Sequence, residues 1–228
     1  ADEGAEVIVV EGTYDDAVEI SAEERGLLIS DMSWPGYERI PSWVIEGYST
    51  MLWEVDDELE RRNEAGPDLV VVQVGVGAFA AAVARHFRGP GATRPKLIAV
   101  EPTSADCLFQ SVAAGRIVSV PGPHDSIMSG LNCGRPSLAA WPTVSRGIDL
   151  LVAVDDGPAR EAMRLAAESG IVSGETGAAG LGGLLELLRA DAGEEARQAL
   201  GIDKESRVLL FNCEGATDPG AYQRVLEE

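Results

Sequence analysis

The chain is poor in the residue types that build many special-purpose sites. Lysine occurs only at Lys96 and Lys204, and histidine only at His86 and His124. Neither histidine has a second histidine or a cysteine at metal-ligand spacing, so each reads as structural. The three cysteines, Cys107, Cys133 and Cys213, are odd in number and far apart. That argues against a disulfide framework and against zinc, and it fits a reducing cytoplasm. No apolar run approaches the roughly 18 residues that a membrane span requires. Residues 1–11 have neither the basic start nor the long apolar stretch of a signal peptide. Positive charge is scarce as well: 38 acidic residues against 18 Lys and Arg leave a net charge of −20. Such a surface repels phosphate backbones, so nucleic acid is not an expected partner, and it favours solubility.

The rest is an ordinary globular composition, 45% hydrophobic and 25% charged. Its 228 residues suffice for one large domain, or one domain and part of another. Two strand-like runs, residues 7–10 and 27–29, flank a short helix predicted over 13–21 with Thr13 as its N-cap. Two short β runs and one helix cannot form a core, so this stretch must dock on something. Residues 33–37 and 40–41 read as a turn-rich connector. Tyr48, Leu52, Val55 and Leu59 then recur at helical spacing and mark one apolar face.

From there the chain alternates. Strands are predicted at 69–74, 97–100, 150–154 and 208–211. Helices are predicted at 78–87, 104–114 and 159–168, and a further one carries Leu181, Leu184, Leu185 and Leu188. Short apolar strands alternating with helices predict an α/β fold with a doubly wound, mostly parallel sheet covered on both faces. The expected division is a partial smaller α/β domain at 1–35 and a large cofactor-binding domain at 36–228.

The most informative local motif is a strand that runs into Gly75-Val76-Gly77-Ala78-Phe79 and then into a helix. Glycines let backbone approach a ligand, and helix N-terminal amides hold a phosphate. Two cofactor classes use such a turn. Gly75-x-Gly77-x-x-Ala80 matches the dinucleotide fingerprint, with Glu101 at the end of the next strand as the ribose-binding acid. The same turn holds the single phosphate of pyridoxal 5′-phosphate.

Six blocks in order resemble one family. They are Asp31-x-x-Trp34-x-Gly36-Tyr37 with Ile40-Pro41-x-Trp43 and Gly47-Tyr48-x-Thr50; Gly75-Val76-Gly77-Ala78; Val100-Glu101-Pro102-x-x-Ala105-Asp106-Cys107; Ser126-Ile127-Met128-Ser129-Gly130-Leu131-x-Cys133-Gly134; Ser173-Gly174-Glu175-x-Gly177-Ala178-x-Gly180-Leu181-Gly182; and Glu214-Gly215-x-Thr217-Asp218. Together they resemble the diaminopropionate ammonia-lyases, pyridoxal-phosphate enzymes of the tryptophan synthase β-subunit fold type. In this light Glu101 belongs to the family's own Val-Glu-Pro block.

The resemblance implies α,β-elimination: 2,3-diaminopropionate loses its β-amino group and ends as pyruvate and ammonia. It implies Asp31 as the base that removes the substrate's α-proton, with Trp34 and Tyr37 as apolar cover. A strand-end aspartate capping the next turn is the plainer reading of the same residue. Gly75, Val76, Gly77, Ala78 and Phe79 would cradle the phosphate. Glu175 would stand near cofactor or substrate, or merely complement its helix N-terminus. Residues 126–134 would line the entrance, with Met128 and Cys133 in the core. Relatives carry Ser-Thr-Glu-Gly where this chain has Asn212-Cys213-Glu214-Gly215, so Asn212 or Cys213 would face the pyridine nitrogen.

Two family features are missing. There is no Asn-x-x-Lys segment bearing the lysine that anchors the cofactor aldehyde, and no Asp-Gly-Asn-His-Gly block. Lys96 follows a loop proline, and Lys204 sits in a polar loop. The expectation is therefore the carboxyl-terminal portion of a longer, homodimeric polypeptide, inactive alone. A serine or threonine dehydratase-like lyase, a nicotinamide-dependent oxidoreductase and a non-catalytic phosphate-binding remnant stand as alternatives.

Overall fold

The computed structural model describes residues 4–228, so the first three residues of the 1–11 stretch lie outside it. In chain order the elements are α1 (Tyr14–Glu23), α2 (Arg39–Arg62), β1 (Leu69–Gln73), α3 (Ala78–Arg88), β2 (Lys96–Pro102), α4 (Cys107–Ala114), α5 (Trp141–Gly147), β3 (Leu150–Val154), α6 (Asp156–Glu168), α7 (Glu175–Arg189), α8 (Glu194–Leu200), β4 (Val208–Leu210) and α9 (Pro219–Glu227).

The four strands form one sheet in the order β3-β2-β1-β4, and every pairing is parallel. The chain steps outward from β1 to β3, then returns to lay β4 on the other side of β1. That reversal is a topological switch point, which opens a crevice at the carboxyl ends of β1 and β4. Side chains alternate across the sheet with the period of two that a strand imposes. Val70, Val72, Leu97 and Ala99 pack on the face covered by α2, α3 and α5, and Leu69, Val71, Ile98 and Val100 on the face covered by α6 and α7. Both faces are dry, which is why β1 reads as an almost unbroken apolar run.

Helix identities follow local chemistry. Thr13 and Asp16 form a capping box at the start of α1: Asp16 N–H donates to Thr13 Oγ1 at 3.3 Å, and Thr13 N–H to Asp16 Oδ2 at 2.7 Å. Helix α2 starts earlier than expected and takes in Ile40 and Pro41. Proline is tolerated there because first-turn N–H groups have no partner inside the helix. On α7, Leu184 and Leu187 face the sheet, whereas Leu181 and Leu185 pack against α6 and α9 and Leu188 is largely exposed. The helix lies so close to the sheet that a Cβ on Gly183 would overlap Val100.

The amino-terminal runs depart from expectation. Residues 7–10 and 27–29 form no strand, and Val7, Ile8, Val9, Leu27 and Ile29 are exposed, Val9 at 85%. A strand exists only where a neighbour accepts its hydrogen bonds, and runs this short bury too little to hold each other. Helices α5, α8 and α9 are additional to the predicted elements; they are short, of 7, 7 and 9 residues.

Candidate active site

The crevice at the switch point contains a cavity of about 410 Å³. Its floor is the turn between β1 and α3. Val74 N–H still pairs with Val100 O at 2.8 Å, after which the backbone leaves the sheet. Gly77 takes φ = 95°, a left-handed conformation costly for any residue with a side chain, and it precedes α3 without any side-chain cap. The helical ladder begins with Ala81 N–H donating to Gly77 O at 2.8 Å. The amides of Ala78, Phe79 and Ala80 therefore have no acceptor within the helix, and these three residues line the cavity. Gly75 is glycine for another reason. A Cβ there would lie 3.0 Å from Gly130 O and 3.1 Å from Cys133 Sγ, so the turn at 129–131 rests directly on it.

Opposite the turn stand Tyr14, Asp31, Tyr48 and Met51. Tyr14 O–H donates to Asp31 Oδ1 at 3.0 Å. Burial, then the adjacent carboxylate, pushes the Tyr14 phenol far up, so it stays a donor. The expected cover, Trp34 and Tyr37, is elsewhere. Their rings stack at 4.6 Å, and the Tyr37 hydroxyl holds Leu28 O and Ser30 N–H. Tyr48 packs on Phe79, which also meets Phe211 edge-on. Phe79 thus gives its ring to the wall and its amide to the cavity.

Ser137 ties the two sides together and was not visible as a site residue. Fully buried, it donates its N–H to Val76 O (2.8 Å) and its hydroxyl to the Asp31 carbonyl (3.1 Å), and it bonds Ser33 Oγ (2.8 Å). One residue therefore fixes the spacing between the glycine turn and the Asp31 segment.

Of the residues read as cofactor contacts, Gly75, Val76, Gly77, Ala78, Phe79 and Cys213 line the cavity; Glu175 and Asn212 do not. Asn212 donates from Nδ2 to Val172 O at 2.9 Å and is exposed. Alternation along the extended segment turns Asn212 away and leaves Cys213 inside. At the start of α7 it is Glu214, not Glu175, that meets the helix amides. Its Oε2 accepts Thr176 N–H at 2.7 Å and Gly177 N–H at 3.2 Å. Thr176 itself lines the cavity and accepts Gly130 N–H on its hydroxyl at 3.1 Å. Gly130 and Leu131 of the fourth block line the cavity; Met128 is core as expected, whereas Cys133, expected in the core, is buried yet also lines the cavity.

Glu101 is enclosed, 1% exposed, and caps α4 by accepting Leu108 and Phe109 N–H, both at 2.8 Å. Burial pushes its carboxyl up to about 8, against the pull of those two donors. It offers nothing to a ribose, so the dinucleotide reading loses its acid. Lys96 opens β2 at the opposite end of the sheet, Lys204 is in an exposed loop, and neither lines the cavity.

An open helix N-terminus behind a glycine turn, a carboxylate across a cavity and a thiol just beyond the neighbouring strand suit a small phosphorylated ring with a reacting amine. The chain belongs to the pyridoxal-phosphate dependent enzyme family, whose model matches residues 1–214. Within that family it resembles the diaminopropionate ammonia-lyases. It is 35% identical over 236 residues to the enzyme of Salmonella typhimurium strain LT2, across 98% of this chain and 58% of that one. To the Escherichia coli K12 enzyme it is 34% identical, across 99% and 59%. The crystal structure of Escherichia coli diaminopropionate ammonia lyase in complex with an aminoacrylate-PLP azomethine reaction intermediate matches with a TM-score of 0.88 and 31% identity, over 99% of this chain and 60% of that one. The chain thus spans somewhat less than two thirds of the length of these relatives.

Proposed function

We propose that this chain supplies the phosphate cradle, the ring-nitrogen contact and one acid–base carboxylate of a pyridoxal-phosphate-dependent ammonia-lyase that converts 2,3-diaminopropionate to pyruvate and ammonia. The observation that carries this is the presence of Asp31, the Gly75–Ala80 turn and Cys213 around one cavity. When bound, pyridoxal phosphate withdraws electrons from the substrate's α-carbon. The open amides of Ala78, Phe79 and Ala80 would hold its phosphate. Cys213, whose thiol is pushed up by burial and so stays neutral, would meet the pyridine nitrogen. Tyr14 occupies Asp31 Oδ1, which leaves Oδ2 to take a proton from the α-carbon.

The same reading assigns the aldehyde-anchoring lysine to a segment outside these 228 residues, consistent with the absence of lysine from the cavity lining among the described residues. It divides the chain at residue 35 into part of a small domain and a large cofactor domain, and it takes the assembly to be a cytoplasmic homodimer without nucleic-acid partners. Among the described residues no helix is long and apolar enough to cross a membrane.

The test is to produce the chain together with an amino-terminal segment carrying the cofactor lysine and to add pyridoxal phosphate. The expected outcome is visible absorption and pyruvate release, faster from 2,3-diaminopropionate than from serine or threonine. A colourless protein rejects the cofactor assignment, and a preference for serine or threonine rejects the substrate.

A further inference from the structure

Gln73 is the one polar side chain of β1, 3% exposed in a strand otherwise buried and apolar. Burying an amide costs free energy unless it is hydrogen-bonded; among the described residues Oε1 has no partner, so the bonds made by Nε2 show what the side chain holds. Nε2 donates to Phe211 O at 3.2 Å and to Cys213 Sγ at 2.8 Å. Backbone pairing between β1 and β4 stops two residues earlier, at Val71 with Leu210. Continued in register, Gln73 would lie beside Asn212. Instead β4 turns away after Leu210, and the Gln73 side chain spans the gap in place of the missing rungs. That gap is the switch-point crevice.

We infer that Gln73 is a positioning residue for Cys213, holding its sulfur as an acceptor from the strand side so that the thiol hydrogen is directed into the cavity. The inference rests on the cofactor reading for what the thiol meets there, a ring nitrogen with a free lone pair. It rests on the geometry alone for the orientation itself. A sulfur that accepts from Gln73 has its own hydrogen free for the other side, where the cavity lies. Gln73 also favours the thiolate, since a donated N–H stabilises a negative sulfur more than a neutral one. It thereby opposes the effect of burial on Cys213. The other titratable groups around that sulfur are Asp31, Tyr14, Tyr48 and Cys133 in the cavity wall and Glu214 next in sequence, none of them cationic.

Cys213 is the accessible thiol, while Cys107 and Cys133 are buried. The rate of its reaction with 5,5′-dithiobis(2-nitrobenzoate) against pH therefore reports its ionisation in the intact chain. Gln73→Met should move the midpoint up by roughly one pH unit, and Gln73→Glu further still, because a carboxylate repels the thiolate. Midpoints that coincide with wild type in variants of unchanged melting temperature would overturn the role. Should the variants not fold, the Gln73 side-chain amide resonances of the wild-type chain serve instead. They should shift on Cys213→Ala, and an unchanged pair counts against the contact. Millimolar pyridoxal phosphate should slow modification of Cys213. Absence of protection alongside shifted midpoints rejects the cofactor reading and leaves the Gln73–Cys213 pairing standing.

Discussion

Helices α3 and α7 both begin at the carboxyl edge of the sheet, both follow glycine-containing turns, and both border the same cavity. They differ in one respect that decides their roles. At α7 the first amides are already taken: Thr176 and Gly177 N–H donate to Glu214, which arrives from the loop after β4. At α4 the same job falls to Glu101. At α3 no side chain among the described residues caps the helix, and Ala78, Phe79 and Ala80 line the cavity with N–H groups that have no helical acceptor. A helix N-terminus already satisfied by a carboxylate is structural, and one left open is available to an anion. A glycine-rich turn alone does not distinguish them.

The contrast extends to the carboxylates. Glu101 and Glu214 are each held by two backbone donors, whereas the hydrogen bond made by the Asp31 side chain is from a tyrosine hydroxyl. The largest effect should come from Asp31→Asn, which removes the proposed proton acceptor and keeps the shape. In the lysine-complemented enzyme it should lower kcat about 10²–10⁴-fold with cofactor affinity and melting temperature nearly unchanged. A parallel loss of folding would instead make Asp31 a structural cap. Next is Gly77→Val, which puts a β-branched residue at φ = 95°. It should weaken pyridoxal phosphate binding by about 100-fold in a calorimetric titration and destabilise the chain by about 1–3 kcal/mol.

Glu214→Ala should show the reverse pattern. Loss of the α7 cap should cost about 1–2 kcal/mol in denaturant unfolding while phosphate affinity at α3 stays within twofold. An equal loss of phosphate affinity would mean that the two N-termini form one anion site. A purely pH-dependent effect concerns Glu101, raised from the ordinary carboxylate range to about 8. Between about pH 4.5 and 8 the folded chain binds more protons than the unfolded one, so its contribution to stability is full below that window and is lost as pH rises through it. Stability should fall by at most about 1.4 kcal/mol per pH unit there, and Glu101→Gln should flatten the slope. A flat wild-type profile would place Glu101 among ordinary ionised caps.

Much of this was legible in the residues. Strand, glycine turn and helix at 69–88 are set by local pattern, and the parallel sheet follows from the alternation of apolar strands with helices. What escaped depends on distant partners. Glu175 has the local look of a helix-end carboxylate, but the cap on Thr176 comes from Glu214, 38 residues further on. Tyr14 reaches Asp31 across 17 residues, while the adjacent Trp34 and Tyr37 turn elsewhere. Ser137 joins the glycine turn to the Asp31 segment, which lies 106 residues before it in the chain. The runs at 7–10 and 27–29 have β composition yet form no strand, since composition cannot supply a neighbour. Of the pair Asn212 and Cys213, only the direction in which the chain leaves β4 selects the cysteine.

The most direct test of the open and filled helix ends is an amide-resolved titration of the chain with pyridoxal phosphate. The account predicts large saturable shifts for the amides of Gly77, Ala78, Phe79 and Ala80, and much smaller ones for Thr176, which borders the cavity, and Gly177. Movement of Thr176 and Gly177 with the α3 turn silent would contradict it.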